Sequence, residues 1–233
     1  MKICLFGITG IALGKHNVKD ARLDQVSKLV EAKKKTYVQV DVAGQEEVVT
    51  ADAIAASDSG RLEVILQDLE FVENRLARDP QEPEKTVLIK IKAALESEQL
   101  VSAAGLSAAE LQAVAAHAFL STKPVVVASP DDMKNFDEFL VRVLAESGYI
   151  SYLTVGGPEN RAWLIKKGAN AQESAGAIHT DIQKGFIRAE IISFADCVAA
   201  GGETQAKHAN KLRLETKQYI VQDFDLVNFR FNK

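Results

Sequence analysis

Two short stretches carry the residue types that bind a phosphate. Gly7-Ile-Thr-Gly10-Ile-Ala-Leu-Gly14-Lys15 follows the apolar run Ile3-Cys4-Leu5-Phe6, and Asp41-Val-Ala-Gly44 spells D-x-x-G after an alternating segment. A glycine-rich turn behind a strand curls backbone N–H groups around phosphates, a lysine reaches the outer phosphates, and a following hydroxyl holds Mg²⁺. The aspartate of D-x-x-G would assist that ion and its glycine would meet the terminal phosphate. A nucleotide site, if retained, therefore consists of Gly10, Gly14, Lys15, Asp41 and Gly44.

The spacing departs from G-x4-G-K-[ST], because neither Gly7 nor Gly10 stands at the required distance before Gly14-Lys15. His16 replaces the hydroxyl, and an imidazole is a poor ligand in the oxygen shell of magnesium. Asn17-Val18-Lys19-Asp20 leaves no room for the helix whose N-terminus should face the phosphates. Gln45-Glu46-Glu47 follows Gly44 with no glycine-rich segment, and Pro130 follows Ala128-Ser129 with no Asn to meet a purine edge. Asp41 and Gly44 read first as a strand-end aspartate and a turn glycine, ahead of a magnesium site. No catalytic residue or metal site is assigned, and Asp41 would serve magnesium only if a nucleotide binds.

The elements that would position these residues follow from periodicity. Ile3–Phe6 reads as a buried strand, 21–32 as a short amphipathic helix, Lys33-Lys34-Lys35 as a charged turn, and 37–41 as a strand. Leu62, Ile65, Leu69, Val72 and Leu76 recur at helical steps, and Val87, Ile91 and Leu95 share a second helical face, giving a hairpin over about 60–98. Ser107 and Glu110 form a capping box opening a helix over 108–120. Val125-Val126-Val127 is a strand and 136–147 a helix. From Tyr149, segments rich in aromatic and β-branched residues (149–155, 162–165, 186–193, 219–221, 226–231) alternate with turns, which marks a second, α+β unit. His117 reads as a packed or surface histidine, and His179-Thr180-Asp181 as a backbone cap rather than a base and its orienter.

The chain has 233 residues, 47% hydrophobic and 26% charged, with a net charge of −4. Residues 1–150 carry net −6 and residues 151–233 net +2, so an RNA contact falls to the C-terminal part. Cys4 and Cys197 show no metal or disulfide spacing, as expected of a cytoplasmic protein. No apolar run approaches membrane-spanning length, so no membrane contact is expected. Nor is any reading of DNA sequence.

Arg161–Lys233, with Ala175–Asp181, Lys184–Glu190 and Gln222–Asn232 as its densest stretches, closely resembles the C-terminal TGS domain of the Obg-like ATPase (YchF) family. Ala21–Gly44 resembles that family's switch I running into D-x-x-G, Leu66–Leu76 the start of its helical insertion, and Ser121–Asp132 the strand that ends in base recognition. The resemblance implies a compacted, P-loop-GTPase-like parallel sheet with an inserted helical hairpin over residues 1–149. A β-grasp, ubiquitin-like TGS domain would follow over 150–233. It also implies ATP or GTP hydrolysis and association with ribosomes. Phe224 stands where the family pattern has glycine in a tight turn, a position strained for phenylalanine if φ is positive.

Lys184, Arg188, Lys207, Lys211, Arg213 and Arg230 are the candidate contacts to RNA or a partner. With the nucleotide motifs altered and the TGS pattern complete, the sequence favours a non-catalytic adaptor that binds RNA, the ribosome or a protein and needs no cofactor. The alternative is a divergent regulatory NTPase using Mg-ATP or Mg-GTP through Lys15 and Asp41. A small-ligand sensor in a repurposed core pocket is a third reading.

Overall fold

The computed structural model describes residues 1–232. Its strands are β1 (Lys2–Phe6), β2 (Gly14–Val18), β3 (Lys34–Thr36), β4 (Val38–Ala43), β5 (Ala53–Ala56), β6 (Val125–Val127), β7 (Tyr149–Thr154), β8 (Glu159–Lys166), β9 (Phe186–Ile192), β10 (Arg213–Glu215) and β11 (Leu226–Phe231). The helices are α1 (Ala21–Leu29), α2 (Asp58–Leu76), α3 (Glu84–Glu96), α4 (Ala108–Ala113), α5 (Phe136–Glu146), α6 (Ala171–Gly176), α7 (Thr180–Lys184), α8 (Phe194–Ala200) and α9 (Glu203–His208). By contact the chain divides into Met1–His16 with Val40–Asn135, and Asn17–Gln39 with Phe136 onward. The sequence places a boundary near residue 150; the second unit also takes in residues 17–39 and 136–149.

The α/β class follows from the first sheet, ordered β2-β4-β1-β5-β6, in which β1 lies parallel to both β4 and β5 and β5 lies parallel to β6. Cys4, Phe6, Ile54 and Ala56 are fully buried there with Val64 of α2. Gly60 is required where α2 meets β1, because a Cβ at that position would overlap the Phe6 carbonyl oxygen. Ser57 caps the helix by accepting from Gly60 N–H at 3.0 Å.

The helical hairpin forms as its periodicity demands. Ile65 and Val72 of α2 and Val87, Ile91 and Leu95 of α3 are buried in one cluster, while Leu62 is 40% exposed and stands off that face. The helix expected to run to Leu120 stops at Ala113. Ala118 then takes φ +50°, which turns Phe119 and Leu120 into the core. Asp68, 4% exposed, receives that turn, accepting from Leu120 N–H (2.9 Å), Ser121 N–H (2.8 Å) and Ser121 Oγ–H (2.6 Å).

His117 packs between Phe71 and Phe119, and its Nε2 lies 2.8 Å from Glu84, which Arg75 also grips. Arg75 holds the Glu84 carboxyl down at about 2, against the opposing effect of burial and with help from His117. The Glu84 contribution is thus complete above its ordinary value of 4.5 and is lost as pH falls toward about 2. Urea melts of the parent and of Glu84→Gln should converge as pH drops across that window; a constant gap would contradict the assignment.

The second sheet is ordered β10-β9-β11-β7-β8-β3. Strands β7–β8 and β9–β11 pair antiparallel, and β7 lies parallel to β11. Ala171 and Ala175 of α6 pack on Tyr152, Ala189, Ile191 and Phe229. The lysine run expected as a turn is instead an edge strand: β3 runs parallel to β8, with Lys34 paired to Glu159 at 3.3 Å and Lys35 to Asp24. Lysines suit an open edge, where charge discourages further strand pairing. The expected strand at 219–221 is only one bridge, Ile220 to Asn170, while β10 supplies the sheet's other edge.

Candidate functional site

In a parallel sheet a phosphate site lies beyond the C-terminal ends of the strands. For β1 that end is Phe6-Gly7, and Gly7 and Gly10 take φ +69° and +82° in the loop beyond it. Gly14 and Lys15 do not close this loop onto a helix. They open β2, which is separated from β1 by β4, hence by two strand spacings or about 10 Å. The Lys15 side chain is exposed. His16 sits 2.6 Å from the Ala12 carbonyl through Nε2, and because that oxygen can only accept, Nε2 carries the proton and ties down the loop.

Asp41 lies within β4, two residues before its last residue, and is level with the start of β1. Its Cα partner is Lys2, four positions before Phe6, or about 13 Å along the strand. Lys15 and Asp41 form no ion pair among the described residues. Gly44 follows β4, and its carbonyl lies 3.3 Å from the Cys4 sulfur, whose thiol burial pushes up to about 11. The lysine, the aspartate and the glycine turn therefore do not converge as Mg-nucleotide binding requires, and these residues do not fit that group.

The segment after Gly44 is pinned by its own contacts. Gln45–Thr50 is a 3-10 helix; its Val48 and Val49 carbonyls and that of Ala51 just past it accept from the Lys123 ammonium at 2.6, 2.5 and 2.9 Å. Lys2 binds Glu47 at 2.5 Å. Burial lowers the Lys123 pKa, so the three carbonyls replace the water the ammonium has lost. The sequence reading missed Lys123; its only signal is a lysine directly before Pro124 and a buried strand. Past β6, Ser129 and Asp132 close on each other, with Ser129 N–H donating to Asp132 at 2.6 Å.

In the second unit, strand alternation sorts the basic candidates. Arg188 and Arg230 are directly opposed in β9 and β11, as are Glu190 and Asn228, so these four share the face away from α6. Lys207 of α9 lines the same polar cavity as Glu190 and Asn228. Burial pushes the Glu190 carboxyl up, but Asn228 and Arg230 outweigh it and hold it below the usual range. The remaining candidates lie elsewhere. Arg213 is opposed to Ile191 on the helix-covered face, against the Tyr219 ring; Lys211 pairs with Asp196 at 3.0 Å; Lys184 is exposed on α7. His179 caps α7, its Nδ1 accepting from Asp181 N–H at 3.1 Å.

Phe224 lies in a turn at φ +63° and is 1% exposed. Its N–H donates to Ser151 at 2.7 Å, the Phe194 ring meets its edge, and the Arg22 guanidinium lies 3.7 Å over its face. Arg22 in turn reaches Asp20 at 2.7 Å and Asp223 at 2.5 Å.

Comparison with known proteins places this architecture. Residues 149–232 match the family model YchF-GTPase_C, described as a protein of unknown function. The chain is 53% identical over 85 residues to the ribosome-binding ATPase YchF of Bacillus subtilis, a match covering 36% of this chain but only 23% of that relative. To the ribosome-binding ATPase YchF of Haemophilus influenzae it is 31% identical over 256 residues, covering 83% of this chain and 69% of the relative. Its fold is that of the YchF GTPase of Schizosaccharomyces pombe, with a TM-score of 0.75 at 19% identity over 99% of this chain and 97% of that one. A relative above 30% identity aligned along most of both chains, with the same fold and the C-terminal match, shows that the chain belongs to the YchF/Obg-like ATPase family.

Proposed function

We propose that this family member is a nucleotide-independent, cytoplasmic adaptor that binds ribosomal RNA through the face of its C-terminal sheet turned away from α6. The observation that carries the nucleotide part is the pairing of Asp41 with Lys2, which sets the D-x-x-G aspartate level with the first residue of β1, about 13 Å along the strand from the glycine turn. The ribosome is drawn from the names of the relatives, which are ribosome-binding ATPases. The C-terminal sheet is read as a β-grasp TGS domain. Its support is the order β10-β9-β11-β7-β8 with parallel central strands and a helix across one face. Arg188 and Arg230 share the other face and Lys207 of α9 borders it; Arg230 pairs with Glu190 and Lys207 with Glu203 at 2.8 Å, so the net positive charge of the group rests on Arg188.

The competing reading, a divergent NTPase taking Mg-ATP or Mg-GTP, draws on the relatives' names, which call them ATPases and a GTPase. Co-sedimentation with ribosomes separates the two. The parent chain should sediment equally with and without Mg-ATP or Mg-GTP, and Arg188→Glu with Arg230→Glu should weaken binding about tenfold, with less dependence on salt. Sedimentation that needs nucleotide, or that ignores the charge reversals, would contradict the proposal.

A further inference from the structure

A cavity of about 410 Å³ lies inside the second unit, lined in part by residues of α1, α5, β7 and β8. That volume is within the range of small-molecule sites and far above the packing gaps of a close-packed interior. Leu23, Val38, Leu144, Ala162 and Val221 line it and are each less than 10% exposed.

The charged groups around it cancel. Arg22 holds Asp20 through Nε and Nη2 and Asp223 through Nη1, and with the exposed Lys167 the lining has two acidic and two basic groups. That balance favours no ion. Ser151 of β7 is a different case, because it is 8% exposed and the only buried polar residue of the lining. Its N–H donates to Asp223 at 3.1 Å and its carbonyl accepts from Phe224 N–H at 2.7 Å, but its hydroxyl has no hydrogen-bond partner among the described residues. Strand alternation and the β7–β8 register place the Ser151 side chain on the same face as Tyr149 and Ala162, both of which line the cavity. A hydroxyl so buried costs free energy until something in the cavity bonds it.

We infer that this cavity binds a small neutral molecule with an apolar body and one hydroxyl or carbonyl group, the body enclosed by the aliphatic lining and the polar group hydrogen-bonded to Ser151. Neutrality follows from the cancelled charges: Arg22, Asp20 and Asp223 already pair with one another, so an ion entering the cavity would lose its water without gaining a buried counter-charge. The polar group follows from the Ser151 hydroxyl, which can both donate and accept. An apolar interior with a few placed polar groups is the usual build of a small-molecule site.

Naphthylmethanol, naphthoate and methylnaphthalene share a ring system and differ in charge and hydrogen bonding, so they test the inference by amide NMR and fluorescence titration of the full chain. Naphthylmethanol should bind saturably at one site and shift the amides of Leu23, Val38, Ser151 and Val221. Naphthoate should bind at least about tenfold more weakly. Ser151→Ala should weaken naphthylmethanol about fivefold, the loss of one neutral hydrogen bond, and leave methylnaphthalene unchanged. Ala145→Trp, at an exposed lining position on α5, should weaken every probe with the fold intact by circular dichroism. Absence of saturable naphthylmethanol binding to the parent would overturn the inference, as would naphthoate binding as tightly as the alcohol. Equal effects of Ser151→Ala on naphthylmethanol and methylnaphthalene, or undiminished binding in Ala145→Trp, would overturn it as well.

Discussion

Replacing Asp68 with alanine is expected to destabilise the N-terminal unit by about 3–5 kcal/mol. The carboxylate accepts from two backbone N–H groups and one hydroxyl in a turn that carries Leu120 into the core. Ser121 passes the network on, its Oγ accepting from Val101 N–H at 3.1 Å. Removing the carboxylate strands buried donors, each costing about 1–3 kcal/mol, in addition to leaving a void. Burial also raises the Asp68 pKa, so ionising it costs some stability as pH climbs through the carboxylate range, opposite in sign to Glu84. That penalty is smaller than the loss of the donors' partner. Urea unfolding followed by far-UV circular dichroism, which senses the hairpin, should show the loss, while Trp163 fluorescence from the second unit stays close to the parent curve. A change below about 1 kcal/mol would mean the turn finds other acceptors.

Phe224 should show an inverted order of substitutions. Truncating a buried phenylalanine to alanine costs about 3–5 kcal/mol, and here the Arg22 and Phe194 contacts are lost with it. Alanine keeps the strain of a side chain at φ +63°, whereas glycine relieves about 1 kcal/mol of it. Phe224→Gly should therefore be more stable than Phe224→Ala, the reverse of the usual ranking in regular structure. Both remain below the parent, because the aromatic packing outweighs the strain. Trp163 fluorescence in urea measures all three. Alanine at or above glycine would show that the turn reshapes when Phe224 is removed.

What the sequence made legible and what it hid separate along physical lines. Strands β1 and β6 were readable because a run of Val, Ile, Leu and Phe has few alternatives to burial, and the hairpin because its apolar residues fall at helical spacing. Strand β5, Ala53–Ala56, was missed: alanine favours helices, and only the close packing at the centre of the sheet explains small residues there. The lysines of β3 carry no strand signal, since an edge needs none of the apolar alternation that marks a half-buried strand. Register was hidden altogether. Asp41 looks like a metal-assisting aspartate in one dimension, and only its pairing with Lys2 shows how far along the sheet it stands from the glycine turn. The Arg22–Asp223 contact joins residues 201 positions apart, beyond the reach of any local pattern. Phe224 was the reverse case, because a glycine expected at a positive φ pointed directly to the strained turn.

The family's named activity and this chain's geometry meet in one question, whether Mg-ATP or Mg-GTP binds at all. Isothermal titration of the purified chain with each Mg-nucleotide asks it directly. With Lys15 on an edge strand, Asp41 level with Lys2, and Gln45–Thr50 fixed by Lys123, neither nucleotide should give saturable heat at micromolar protein. Micromolar binding of either one, abolished by Lys15→Ala or Asp41→Ala, would contradict the account.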